Sequence, residues 1–278
     1  MLSTVDAYLR LLDVPAGEAR RRAWVDQYEA THPAIFQTYY SGWGDPDRRQ
    51  QAADTVAALA PEIRDRERRA AALVQNTGRD LTERGILEKD EIPTVLLVGG
   101  HTSNGWVSDL DGTTTLLLAL EYLPTPPFDD LLVTHESTHV AHLNGGGGGW
   151  PDTVGANLIR EGAATAVSRL LRPGLADTAY LWFDEDHTPW VSECRRRQPE
   201  ILNAALAALH NADPAMSDEL FSARPGSPLP VRCGYWAGDL VIRRLLAQGT
   251  ALPELLSWRY GDAVTNVTTV LQHQDSRG

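Results

Sequence analysis

The chain has 278 residues, 42% hydrophobic and 22% charged, and its 37 acidic against 25 basic side chains give a formal net charge of -12. This acidic balance argues against a nucleic-acid partner, because neutralising phosphates requires a net basic face. The single lysine, Lys89, is flanked by Glu88 and Asp90, which excludes a Gly-Lys-Ser/Thr phosphate loop and disfavours Schiff-base chemistry.

Length and cysteine usage leave an ordinary enzyme as the default class. A chain of this size suits one large domain or two smaller ones. Cys194 and Cys233 form no CxxC motif, so neither a disulfide framework nor a zinc ribbon is indicated. Asp6 stands where a signal peptide would be apolar, and no run approaches about 18 apolar residues. We therefore expect a cytoplasmic protein with no membrane partner.

The first 90 residues have the composition of helices. Residues 54–87 are mostly Ala, Arg, Glu, Leu and Gln, and their apolar positions recur every three to four residues, as one buried stripe requires. Prolines at 15, 33 and 61 punctuate this region. The mixed-sign run 64–69 is expected to be a solvated helix face. These patterns predict a helical N-terminal lobe over 1–90.

From residue 91 the pattern changes to strands followed by helices. Runs of β-branched residues and leucine predict strands at 94–100 and 113–120, and the turn-rich stretch 101–106 predicts a loop between them. Helical periodicity then predicts five helices, at 129–144, 154–171, 198–211, 232–248 and 252–258. The expected fold class is α+β, mostly helical, with a domain over 91–278.

An HExxH motif occupies residues 135–139 of the first of these helices. At about 100° per residue, His139 lies about 40° round the helix from His135 and one turn further along, so both imidazoles can bind one zinc ion. Glu136 lies about 60° beyond His139, where it can reach a water on the metal, which is the position of a general base. The surrounding leucines and valines predict that this helix is buried, where two histidines and a carboxylate without a partner would be costly.

A third ligand is available 22 positions after His139. Thr153 or Asp152 is expected to cap a helix over 154–171, which contains Glu161 followed by Gly162 and two alanines. Glycine inside a helix is unfavourable, so close helix packing is the expected reason for Gly162.

The HESTH sequence, followed by an IREGAA helix, resembles the gluzincin metallopeptidases, and most of all the bacterial groups described as predicted zinc-dependent proteases. The resemblance covers residues 131–165 well, covers 92–260 more weakly and is absent from the first 90. It implies a zincin-like fold and one Zn²⁺ per chain on His135, His139 and Glu161, with Glu136 polarising the water.

Other third ligands remain open. The metzincin pattern needs Gly at 142 and His at 145, and this chain has the reverse. His142 is about 10.5 Å along the axis from His135, too far for one ion on a straight helix. Asp152 could serve as in aspartate-type zincins. A buried polar network without metal is the remaining alternative.

The resemblance also suggests an oxyanion donor and a substrate-binding strand. The segment from Arg232 to Ile242 resembles the Gly-Tyr-x-x-Gly helix found late in these groups, which makes Tyr235 the candidate donor, with His187 as its competitor. His101 and Asn104 could line the cleft. The strand 113–120 is expected to be an edge strand that pairs with an extended peptide.

We therefore predict a zinc hydrolase acting on a peptide or small amide, with Glu136 as general base. Two other functions stay open: a metal-dependent enzyme on a specialised small amide, and a non-catalytic module whose zinc is structural.

Overall fold

The computed structural model describes residues 1–223 and 228–272, and these form a mostly helical α+β structure, as predicted. The strands of the described residues are β1 (Leu2–Ser3), β2 (Thr94–Leu97), β3 (Gly105–Leu110) and β4 (Thr113–Ala119). The helices before the sheet's main strands are α1 (Val5–Leu9), α2 (Glu18–Ala23), α3 (Pro33–Gly42) and α4 (Arg49–Glu83). The later helices are α5 (Phe128–His142), α6 (Val154–Leu171), α7 (Asp177–Trp182), α8 (Thr188–Arg196), α9 (Gln198–Ala208), α10 (Pro214–Phe221), α11 (Cys233–Ala247), α12 (Leu252–Ser257) and α13 (Tyr260–Gln272).

The four strands form one sheet in the order β1-β2-β4-β3. β2 pairs in parallel with β1 and β4, whereas β3 and β4 are antiparallel, with Gly105 opposite Leu118. The prediction that 113–120 is an edge strand is therefore wrong, because β4 lies between β2 and β3. The edge strand on that side is β3, which the sequence analysis assigned in part to a loop.

The chain divides into two units, the first containing residues 1–82 and 89–140 and the second containing 83–88 and the residues from 141 onward. This division differs from the predicted boundary between 90 and 91. It differs because β1 pairs with β2, so the N-terminal segment belongs to the same sheet as the residues after 90. The existence of two separately folding domains, 1–90 and 91–278, stays a prediction.

An aromatic core joins the N-terminal helices of the first unit to its sheet. Tyr28 is fully buried, and its ring lies 5.0 Å from both Trp24 and Phe36 between ring centroids. The Tyr28 hydroxyl donates to the carbonyl of Val98 (2.7 Å) and lies 2.8 Å from the Thr4 hydroxyl. Each of these buried polar groups is satisfied, so the core also fixes the segments that follow β1 and β2.

Helix α4 contacts both the segment that connects β4 to α5 and the first turn of α5. Arg66 donates to the carbonyls of Leu120 (3.1 Å) and Glu121 (2.8 Å), and Arg69 pairs with Asp129 at 2.6 Å. The charged run 64–69 is therefore not simply a solvated face, because two of its arginines hold other parts of the unit. The helix also continues through Pro61, which was expected to punctuate it.

In the second unit, helices α6 and α11 cross at two glycines. A Cβ atom on Gly162 would lie 2.4 Å from the carbonyl oxygen of Gly238, and one on Gly238 would lie 2.5 Å from the carbonyl oxygen of Leu158. The close packing expected at Gly162 is thus packing against α11. Thr153 caps α6, as one of the two predicted caps, by accepting a hydrogen bond from the Ala156 N–H (3.2 Å).

A buried ion-pair network fastens the same two helices. Asp239 of α11 is completely buried and accepts hydrogen bonds from Arg169 of α6 (3.0 Å) and Arg243 (3.1 Å). Although burial alone would lower the pKa of Arg169, Asp239 and Asp177 raise it above its ordinary value. The guanidinium therefore stays charged, and the buried Asp239 carboxylate has its counter-ion.

The five helices predicted after residue 124 are all present, with ends within about three residues of those expected. The short helices α7, α8 and α10 and the terminal α13 were not predicted. Among the described residues, no helix has both the length and the apolar character needed to cross a lipid bilayer.

Candidate functional site

The HExxH motif lies in α5, whose first turn is anchored to α4. The Asp129 side chain is 3% exposed, and its carboxylate forms the 2.6 Å ion pair with Arg69. Asp129 also belongs to the first helical turn, where a negative charge is stabilised by the helix dipole. This ion pair fixes the start of the helix that carries the site, and no pattern in the sequence indicates it.

Helix α5 is buried on most sides, as the sequence predicted. Apolar residues and small hydroxyl residues surround the motif with almost no solvent exposure: Leu131, Leu132, Val133, Ser137, Thr138 and Val140. Thr138 donates its hydroxyl hydrogen to the Thr134 carbonyl (2.8 Å), so this polar group is satisfied within the helix. His135 is only 3% exposed, and His139 is half-buried.

The structure brings together His135, Glu136 and His139. Each has a nitrogen or carboxylate oxygen, and these atoms all lie within 4.8 Å of one another. The two imidazole centroids are 4.8 Å apart, with ring planes at 83°. In a tetrahedral zinc site two nitrogens, each about 2.0–2.1 Å from the ion, lie roughly 3.4 Å apart. The ligand atoms of His135 and His139 are no more than 4.8 Å apart, so these two imidazoles have the type and approximate spacing of ligands that a zinc ion binds.

The edge strand β3 begins beside Glu136. A Cβ atom added to Gly105 would lie 3.1 Å from Cγ of Glu136 and 3.2 Å from Cδ2 of Leu118, so only glycine fits there without displacement. The Asn104 side-chain oxygen accepts a hydrogen bond from the Gly105 N–H (2.8 Å). Gly105 was not singled out from the sequence, although an isolated glycine at the start of a strand is a known sign of close approach.

A buried carboxylate shapes the loop before β3. The two carboxylate oxygens of Glu121 each accept from the Gly99 N–H (2.9 Å), and one also accepts from the His101 N–H (3.3 Å). Burial raises the pKa of Glu121 to about 7, although these N–H groups oppose the shift. Glu121 thus holds the loop that leads to Gly105, and no pattern around Glu121 in the sequence indicates this role.

His101 has a structural part in this loop. Its backbone is left-handed (φ 57°), its carbonyl accepts from the Tyr122 hydroxyl (3.1 Å), and its Nε2 lies 3.2 Å from the Thr55 hydroxyl. Burial lowers the pKa of His101, with the Arg48 charge acting in the same direction. Whether His101 or Asn104 lines a cleft stays a prediction.

The other predicted site residues belong to the second unit. Glu161 is half-buried on α6, directly before the glycine that packs against α11. Tyr235 is in the first turn of α11, and its ring lies 5.7 Å from that of Phe221. Their assignments as third zinc ligand and oxyanion donor stay predictions.

The alternative candidates have distinct environments. His142 is 1% exposed, and its ring meets that of Trp150 edge to face at 4.8 Å. The Asp152 side chain is 84% exposed and lies 3.6 Å from Arg160. His187 places Nδ1 2.8 Å from both carboxylate oxygens of Asp184.

Comparisons with protein-family models, with curated proteins and with solved structures find no match to this chain. The chemistry of the site must therefore be argued from its own residues.

Proposed function

We propose that the protein is a zinc-dependent hydrolase of gluzincin type that cleaves amide bonds in peptides. The observation that carries this proposal is the cluster of His135, Glu136 and His139 on one buried helix, with all ligand-type atoms within 4.8 Å. The two imidazoles supply two of the three protein ligands that a catalytic zinc site uses, and the adjacent carboxylate of Glu136 supplies the general base for the water in the fourth position. The proposed zincin-like fold and the third ligand, Glu161, rest on the sequence resemblance.

Each residue of the proposed site would have a separate role in the reaction. His135 and His139 would hold the ion, and Glu136 would accept a proton from the attacking water and return it to the leaving amine. Bound zinc would supply Lewis-acid chemistry, by lowering the pKa of water and polarising the substrate carbonyl. The phenolic hydroxyl of Tyr235 would donate a hydrogen bond to the negative oxygen that develops on that carbonyl. The low exposure around α5 would keep bulk water from these groups and strengthen their electrostatic interactions.

The position of β3 supports an extended peptide as substrate. In the β3–β4 ladder the backbone carbonyl of Asn104 accepts a hydrogen bond from the Ala119 N–H. Every second residue of β3 from there, Trp106, Ser108 and Leu110, therefore has its backbone N–H and C=O directed at β4. The backbone groups of Gly105, Val107 and Asp109 consequently point away from the sheet. A peptide that added as a further strand would begin its pairing beside Glu136, where Gly105 approaches Cγ.

The test compares Glu136→Gln with wild type after both are loaded with one equivalent of zinc. Glutamine keeps the size of the side chain but cannot take a proton, so we expect zinc content to be retained and peptide hydrolysis to fall at least about 100-fold. The matched control is Glu91→Gln at an exposed position, which should hydrolyse peptides at the wild-type rate. Equal turnover by Glu136→Gln would remove Glu136 from the reaction. Zinc binding without hydrolysis in wild type, across a peptide library and small amides, would instead favour a structural zinc.

A further inference from the structure

Four side chains of the second unit form a continuous stack, here called the Trp182 stack: His187, Trp182, Arg232 and Tyr235. The imidazole of His187 is parallel to the indole of Trp182, at 3.8 Å between centroids and 1° between planes. The guanidinium carbon of Arg232 lies 4.4 Å from the Trp182 ring centre and 4.4 Å from that of Tyr235. Arg232 is therefore held between two aromatic rings, which fixes its plane and leaves its edges for hydrogen bonding.

The backbone at Arg232 is also held in an unusual conformation. Its φ of 57° is left-handed, a region that non-glycine residues seldom adopt and that is a reason to look for a functional role. The Arg232 N–H donates to the Ser222 carbonyl (3.1 Å), and the carbonyl of the preceding residue, Val231, accepts from the Trp190 indole (2.7 Å). The guanidinium is thus placed in advance by contacts on both sides of the residue.

Two groups of the stack have unused hydrogen-bond donors, the Arg232 guanidinium and the Trp182 indole. Within the part of the chain that the structure describes, Arg232 has no carboxylate partner, and its side chain makes one long hydrogen bond, to the Leu181 carbonyl (3.5 Å). The Trp182 indole N–H is buried and has no acceptor among the same residues. The carboxylate of Asp184 lies against Nδ1 of His187 and not against Arg232. A half-buried, oriented cation without a counter-ion is suited to an anion supplied by a ligand.

We propose that the Trp182 stack is a binding site for a carboxylate group, with Arg232 as the residue that recognises it. A single guanidinium matches a single negative charge and presents parallel N–H groups with the spacing of a carboxylate's two oxygens. Phosphate, which carries more charge, would call for a second cation, and among the residues that the structure describes no other arginine or lysine belongs to the stack. Because the fourth member, Tyr235, is the proposed oxyanion donor, the carboxylate would belong to the substrate. That last step rests on the proposed function.

Nuclear magnetic resonance of the full chain, labelled with ¹⁵N, tests the binding site without any need for hydrolysis. The probes are sodium acetate, neutral acetamide and inorganic phosphate, each titrated at constant ionic strength. The Arg232 Nε–H and Trp182 indole N–H signals are assigned by their loss in Arg232→Gln and Trp182→Phe. We expect saturable shifts of both signals with acetate and none with acetamide. The control variant Arg259→Gln, at an exposed position, should titrate as wild type.

The outcomes separate cleanly. A linear drift without saturation, or equal shifts with acetamide, would overturn the proposal, as would a Trp182 shift that survives in Arg232→Gln. Tighter binding of phosphate than of acetate would overturn the carboxylate assignment. If Arg232→Gln does not fold, the acetate titration of Arg232→Lys tests the role of the guanidinium instead. This variant keeps the charge but lacks the planar group, so it should bind acetate several-fold more weakly, and unchanged affinity would contradict the role of the stack.

A kinetic comparison then tests the link to hydrolysis. Wild type should cleave peptides with a free terminal carboxylate at lower KM than the same peptides with a terminal amide. Arg232→Gln should raise KM at least about 10-fold for the first set and leave the second unchanged. Saturable acetate binding with no peptide cleavage would contradict the proposed function alone, whereas cleavage that ignores the carboxylate would contradict the substrate assignment alone.

Discussion

Gly105→Ala tests whether the start of β3 positions the carboxylate of Glu136. The new Cβ would lie 3.1 Å from Cγ of Glu136, whereas ordinary van der Waals contact spans 3.4–4 Å. Glu136 must therefore move by about 0.3–0.9 Å. If a 1 Å misplacement costs about 100-fold, this movement lowers kcat roughly 4- to 60-fold, or about 0.8–2.4 kcal/mol in the activation barrier.

The same substitution should change the stability of the protein only slightly. Alanine reduces the conformational freedom of the unfolded chain, which contributes about 0.4–1 kcal/mol and offsets the local crowding. Steady-state hydrolysis, zinc content and urea unfolding are measured together. The matched control is Gly42→Ala, because an added Cβ there meets no atom within 4 Å. Unchanged kcat in folded, zinc-loaded Gly105→Ala would refute the reasoning, and a fall in kcat that follows zinc loss would assign the effect to the metal.

Three further predictions concern packing, pH and the oxyanion donor. Gly162→Ala places a Cβ 2.4 Å from the Gly238 carbonyl oxygen, so the free energy of unfolding should fall by about 3 kcal/mol. The control Gly261→Ala adds a Cβ that meets no atom within 4 Å, so it should change the free energy of unfolding little. Equal urea midpoints for the two variants would contradict the packing argument. Because burial raises the pKa of Glu121 from 4.5 to about 7, the folded state binds the proton more tightly. This contribution to stability is complete below pH 4.5 and is lost as the pH rises from 4.5 through about 7. The loss should approach about 3 kcal/mol in urea titrations of wild type and be missing from Glu121→Gln; parallel pH profiles would contradict it. Tyr235→Phe keeps the aromatic ring but removes the hydroxyl, so kcat should fall about 100-fold with zinc retained, and an unchanged kcat would exclude Tyr235 as the donor.

The helical part of the fold was predictable because its signals are local. A helix such as α6 is indicated by its periodicity and by the N-cap at Thr153, whose hydroxyl accepts a hydrogen bond from a backbone N–H of the same helix. The HExxH cluster was predictable for the same reason, since the spacing of His135 and His139 on one helix fixes their proximity. Both inferences needed no knowledge of distant parts of the chain.

The sheet was harder because strand order depends on distant pairing. β1 is two residues long and carries no periodicity, so its pairing with β2 could not be inferred from the sequence. The resemblance predicts an edge strand at 113–120, yet the continuous apolar run in β4, Leu116 to Leu120, is typical of a strand covered on both faces. The segment from Trp106 to Leu110 does not alternate in polarity, because two apolar residues are followed by Ser108 and Asp109, so β3 carries no clear strand pattern in the sequence.

The contacts that support the site could not be predicted from the sequence for a different reason. Arg69 lies in a charged run that resembles a solvated helix face, and nothing local indicates that it pairs with Asp129, 60 residues later. The same holds for the Arg232 guanidinium, whose neighbour Trp182 is 50 positions away. Contacts of this kind depend on the tertiary structure, and therefore only the structure could identify them.

Zinc stoichiometry tests the central claim most directly. Purified wild type, dialysed against zinc and then against zinc-free buffer, should retain one zinc per chain by elemental analysis. His135→Ala and His139→Ala should each lose it, whereas His210→Ala, at an exposed position, should retain it. Wild type that binds no zinc under these conditions, or a His135→Ala/His139→Ala double variant that still holds one equivalent, would contradict the account.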